Sequence, residues 1–205
     1  MTQFKIEQSG VSEREHSLLD RRTVSAALML IGIFLLSLYL EGRPAWCEDG
    51  LAFWSPAWNS CTSQNLFDPY SMSHVLHGVI FFWLLRLLAP RVPLAWRLVA
   101  AMGLEIGWEV LENSPWIIAR YRQDTAAFDY TGDSIVNSFG DVVSTVAGFV
   151  FASRFGWKAS LALVIVFELW MLWIARDNLS LNILMLLHPI DAIKEWQLAG
   201  ITPVG

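Results

Sequence analysis

Between residues 104 and 148 the chain sets acids and amides into apolar sequence at helical intervals. Glu105, Glu109 and Glu112 lie in the apolar run 94–112, and Asp133, Asn137, Gly140 and Asp141 open the next one. At ~100° per residue the glutamates share an arc of ~60°, and Asp133, Asn137 and Asp141 do much the same. A carboxylate in an apolar membrane helix costs ~2.5–3.5 kcal/mol at the helix centre, so it must pair, bind a ligand or take a proton. His74 and His77, one helical turn apart in an earlier apolar run, and Asn113 belong to the same candidate site.

Three chemistries suit this set. The first is a divalent metal ion held by His74, His77, Glu109 and Glu112, because imidazole with carboxylates suits Zn, Mn or Fe. Neither an HExxH helix nor a paired Glu-x-x-His motif is present. The second is a pocket for a lipid headgroup or lipid-linked phosphate, with Arg120 and Arg122 holding the anion and the acids holding an amine or sugar. The third is a structural network that fixes helix packing in an assembly or scaffold role. No nucleophilic motif marks a reaction, and the balance lies against an enzyme.

The elements that must position these residues follow from composition. The chain has 205 residues, 55% hydrophobic and only 16% charged, with eleven tryptophans and a formal charge of −5. Several long charge-poor runs suit a polytopic membrane protein, and no basic stripe points to nucleic acid. The expected fold is all-α: a transmembrane helical bundle of five spans, at 23–40, 72–89, 94–112, 133–153 and 159–175, plus a C-terminal amphipathic segment. Residues 1–22 form a polar cytoplasmic tail, and 176–205 a segment lying on the membrane surface. Residues 116–132 are expected to be a loop, and Glu168 a partner in the same polar network.

The distribution of Lys and Arg sets the orientation. With the N-terminus inside, nine of the fourteen fall on the cytoplasmic side. This puts the loop 41–71 in the periplasm, where its Cys47 and Cys61 could form a disulfide. It also gathers His74, His77, Glu109, Glu112 and Asp133 at the outer level, with Glu105 and Asp141 ~10–12 Å deeper. The inner halves of the helices 72–89, 94–112 and 133–153 lack comparable acids, which counts against a transporter or proton channel.

His77, Glu109 with Glu112, Arg120 or Arg122, and Asp133-x3-Asn137-x2-Gly140 follow an order that resembles the VanZ-like group of small bacterial membrane proteins. Ser73 replaces the Asp that group commonly has four residues before its histidine, and Glu112 replaces its Gln. Over almost its whole length the chain is more similar to an uncharacterised family of bacterial inner-membrane proteins. The segments Glu-Val-Leu-Glu-Asn-Ser-Pro, Gly-Asp-Ser-Ile-x-Asn-Ser-x-Gly-Asp and Asp-Asn-Leu-Ser-Leu-Asn carry that likeness. The resemblance implies an inner-membrane location and a role in the cell envelope, without a reaction.

Overall fold

The computed structural model describes residues 20–200. Most of the expected cytoplasmic tail therefore lies outside the described residues. Among the described residues seven helices form: α1 (Arg21–Leu40), α2 (Ser71–Leu88), α3 (Leu94–Glu112), α4 (Pro115–Asp124), α5 (Ile135–Ala175), α6 (Leu179–Leu187) and α7 (Asp191–Leu198). Among the described residues there is no strand, only a single bridge between Trp54 and Phe67.

Among the described residues three helices, α1, α2 and α5, are long and apolar enough to cross a membrane, not five. Two causes account for the difference. In α3, Arg97, Glu105, Glu109 and Glu112 bring more charge than a plain apolar span carries. The runs expected as a fourth and a fifth span are joined in the 41-residue α5. A straight helix of that length would reach ~62 Å, about twice the thickness of a bilayer core.

α5 is not straight. Gly156, at φ +74° and ψ −175°, interrupts it. On one side of the break Thr145 Oγ1 donates to His74 O at 2.9 Å, and Phe149 packs edge-on against Phe82. On the other, Ser160 Oγ accepts from Trp83 Nε1 at 3.1 Å, and Met171 lies 3.5 Å from Ser73 Oγ. Both halves thus run along α2 in opposite senses. The positive φ that lets the chain double back is one that glycine adopts without cost.

Close approach of α2 and α5 depends on two further glycines. A Cβ on Gly78 would strike the backbone of Thr145 and Phe149, and one on Gly148 would strike Val75 O. Small residues at such a crossing let the backbones meet. The apolar core follows in two clusters. Val79, Phe82, Ala101, Phe149 and Ala152 fill the space between α2, α3 and α5; Phe34 and Leu38 seal α1 onto Met102 and Val142.

The loop 41–70 is folded onto the start of α5. The first N–H groups of a helix have no partner within it. Here Ile135 N and Val136 N donate to Pro44 O and Ala45 O at 2.8 and 3.1 Å, and Ser134 caps the helix by accepting from Asn137 N. Cys47 and Cys61 are joined by a disulfide across this loop. Residues 116–124 of the expected loop 116–132 instead belong to α4, because Ser114 provides an N-cap and Pro115 takes the first helical position.

Candidate functional site

His74 is the hub of the polar cluster. Its Nδ1 is hydrogen-bonded to Glu105 Oε1 and lies 3.3 Å from Glu109 Oε1, while Nε2 lies 3.8 Å from Asp141 Oδ2. His77, one turn further along α2, places Nδ1 3.0 Å from Glu105 Oε2. Both oxygens of Glu105 are therefore occupied by imidazole nitrogens. Glu109 is different: it is fully buried, and neither of its oxygens accepts a hydrogen bond.

Within this cluster two sets of donor atoms lie close enough to share one ion, each within 4.8 Å of its companions: His74, His77 and Glu105, and His74, Glu109 and Asp141. They overlap only partly with the set His74, His77, Glu109 and Glu112. Glu112 stands apart, with its Oε1 accepting from Tyr121 OH at 2.9 Å. Asp133 is held at the neighbouring level by Asn113 and by Tyr130 OH, which lies 3.0 Å from both carboxylate oxygens. Asn137 turns its amide elsewhere, donating to Asn65 O at 2.8 Å and so pinning the loop 41–70.

His74, His77, Glu112, Asp133, Asn137 and Asp141, but neither Glu105 nor Glu109, border a cavity of about 480 Å³ at the end of the bundle where α2 and α5 begin and α3 ends. Residues 58–60, 62–64 and 125–131 wall it, and α6 and α7 contribute Asn182 and Gln197. Downward it reaches Ile80, Phe81 and Trp108, between α2 and α3; Ile80 is half exposed on the outside of the bundle. Among the described residues lining it are five acids and two histidines, and no Lys or Arg.

Residues 38–199 match the family model described as "Protein of unknown function (DUF2585)". The chain is 45% identical over 175 residues to a UPF0314 protein of Brucella anthropi, covering 83% of this chain and 89% of that one. It is 46% identical over 176 residues to a UPF0314 protein of Sphingopyxis alaskensis, covering 85% and 94%. A UPF0314 protein of Agrobacterium fabrum is again 46% identical over 176 residues, covering 85% and 88%. The chain belongs to this family. No solved structure matches it. The likeness to the VanZ-like group is not shown by any of these relationships.

The family's match takes in every residue of the cluster, and it also takes in two arginines that sit apart from it. Arg120 donates from Nε to Leu186 O at 3.0 Å and pairs with Asp124 at 2.8 Å. Arg122 donates to Tyr130 O at 2.6 Å and lines a different surface hollow, shared with Glu41 and Arg43. Neither arginine lines the acidic cavity. Glu168 also stands outside the cluster: its carboxylate accepts from Leu179 N and Ser180 N, tying the start of α6 to α5.

Three polar residues of this region escaped the sequence reading. Asp68, buried before α2, accepts from the backbone N–H groups of Ser63, Tyr70 and Ser71 and so closes the loop onto the helix start. Asp177 and Gln197 come from the C-terminal stretch and line the cavity. Burial pushes the Asp177 carboxyl up to about 7, although hydrogen bonds from Asn178, Asn182 and Gln197 work against the rise. The Asp-Asn-Leu-Ser-Leu-Asn segment was the signal for Asp177; Gln197 left none.

Proposed function

We propose that this protein is an integral inner-membrane protein that holds a divalent metal ion at His74, Glu109 and Asp141, beside a cavity entered from the outer side that His74 and Asp141 line and Glu109 does not. The reading is carried by Glu109. A wholly buried carboxylate that accepts no hydrogen bond, and whose one ion-pair neighbour, His74 Nδ1 at 3.3 Å, is already bonded to Glu105, is an expensive arrangement. A cation shared with an imidazole and a second buried carboxylate removes that cost. Asp141 Oδ1 likewise lacks a donor. Glu105, saturated by His74 and His77, acts as the positioning residue that fixes both rings, as an outer carboxylate does for a ligating histidine.

Membrane embedding is supported by the broad apolar exterior of the helices: Leu28, Leu87 and Trp173 are 64%, 77% and 81% exposed. Each half of α5, 135–155 and 157–175, is long enough to cross by itself once the chain turns at Gly156. The excess of Lys and Arg at one end favours a cytoplasmic N-terminus, with the Cys47–Cys61 loop outside.

Metal content of the detergent-purified full chain tests the reading. The expected result is about one ion per chain in the wild type and its loss in Glu109→Gln and His74→Ala. Wild-type protein from metal-replete medium that carries no stoichiometric ion would overturn it. The saturated Glu105 pairings favour a second reading, in which the cluster only locks α2 to α3. That reading expects Glu105→Gln to lower thermal stability and no variant to change metal content.

A further inference from the structure

The metal site proposed above takes His74 and leaves His77 to another task. His77 Nδ1 lies 3.0 Å from Glu105 Oε2, and a carboxylate there holds the ring proton on that side. Nε2 then offers a lone pair. It has no hydrogen-bond partner among the described residues and is not sealed off by protein. The side chain keeps 15% of its surface and lines the cavity. Two further lining residues flank it. The Phe81 ring is centred 5.8 Å from the imidazole, and the Trp108 ring stands edge-on to it at 6.3 Å. An acceptor is thus presented at the seam where the wall turns from polar to apolar.

Past that seam the wall continues with Ile80, near the middle of the 18-residue α2 and half exposed on the outside of the bundle. Leu84 and Leu104, one turn deeper on α2 and α3, are exposed as well. At that depth a bilayer offers acyl chains and no water. The volume of about 480 Å³ is far more than one ion requires and falls in the ~300–1,000 Å³ range of small-molecule sites. Its charge is one-sided: five acids line it, with no Lys or Arg among the described lining residues, which disfavours a phosphate. A group that meets Nε2 is buried against the Phe81 and Trp108 rings, where an uncharged donor costs far less to desolvate than an ion. We propose that the cavity binds an uncharged, hydroxyl-bearing membrane lipid, whose hydroxyl donates to His77 Nε2 and whose acyl chain leaves beside Ile80, between α2 and α3. The proposal rests on the membrane embedding proposed above and uses none of the metal's ligands.

The test places the full chain in phosphatidylcholine nanodiscs doped with dioleoylglycerol or with dioleoyl phosphatidic acid, and reads Tm and bound metal on the same samples. Dioleoylglycerol is expected to raise Tm saturably, at a mole fraction at least about tenfold below that at which phosphatidic acid acts. Millimolar free glycerol, which has no chain, is expected to leave Tm unchanged. His77→Phe keeps a ring but removes the acceptor, and should weaken the dioleoylglycerol response by about tenfold. Ile80→Trp narrows the mouth from an exposed position outside the metal site. It should weaken the response similarly with bound metal unchanged, and it keeps the test intact if the histidine variant misfolds. No response to dioleoylglycerol, equal responses to the two lipids, a response to free glycerol, or an undiminished response in Ile80→Trp would overturn the lipid proposal. A lipid response in protein without stoichiometric metal would overturn the metal reading alone. A chain that does not enter the discs would overturn the membrane embedding and the lipid proposal with it.

Discussion

Asn113 grips Asp133 with both ends of one amide. Its Oδ1 accepts from Asp133 N at 2.7 Å, and its Nδ2 donates to Asp133 Oδ2 at 3.1 Å. The pair joins the end of α3 to the residue that leads into α5, and so sets the distance between the helices carrying Glu109 and Asp141. Asn113→Ala leaves a buried N–H and a buried carboxylate short of a partner. Each unsatisfied group costs ~1–3 kcal/mol. The expected loss is about 2–4 kcal/mol in thermal unfolding, with metal retention falling in parallel.

Stability should also depend on pH, in a direction set by two carboxyls outside the helices. Burial raises Asp133 from 3.8 to about 6, against the opposing hydrogen bond from Tyr130, and raises Asp177 to about 7. Between about pH 4 and these values the folded chain keeps protons that the unfolded chain has released. Stability therefore falls as pH rises from about 4 to about 7, and levels off above. Each group contributes on the order of 3–4 kcal/mol to the change. Unfolding midpoints measured from pH 4 to 8 check this, and Asp133→Asn with Asp177→Asn should flatten the profile.

The crossing of α2 and α5 offers a mutation with a purely steric reading. An alanine at Gly148 drives its methyl into Val75 O, and an alanine at Gly78 drives one into Thr145. Backbone cannot step aside as a flexible side chain can, so overpacking of ~1–3 kcal/mol is the minimum expected. Because Thr145 also holds His74 O, Gly78→Ala should disturb metal content more than Gly148→Ala does. Paired melting curves and metal analysis distinguish the two.

Removal of the disulfide should loosen the lid loop without unfolding the bundle. Cys47 and Cys61 are fourteen residues apart, and closing a loop of this size contributes roughly 3 kcal/mol in the chain-entropy model. Cys47→Ser is expected to lower the melting temperature and speed proteolysis within 41–70. An unchanged melting temperature would mean that the contacts of Pro44, Ala45 and Ser63 with the start of α5 hold the loop unaided.

Helical spacing made much of the polar face legible. Glu105 and Glu109 repeat at the interval that brings both toward α2, and His74 and His77 repeat at the interval that brings both toward Glu105. What spacing leaves out is which oxygen is already satisfied, and that separates Glu105 from Glu109. Arg120 and Arg122 misled for a related reason: charge is visible in sequence, but the carbonyls of Leu186 and Tyr130 that occupy those guanidinium groups are not. The number of separate long apolar helices was not legible because Gly156 between two apolar runs can end one helix and begin another, or bend a single one. A short cap such as Ser114-Pro115 was read only as a stop, although it also starts α4.

Gln197 has an implication for how the chamber is built. The same eight-residue helix that looks like a mere tail supplies part of its ceiling, held down where Arg176 stacks over Trp196 and bonds to Trp196 O. Severing the polypeptide ahead of Asp191 would unroof the vestibule while leaving the histidine hub and its glutamates in place. In the proposed reading, access to the site is therefore governed by α7, a piece that can vary without rebuilding the floor.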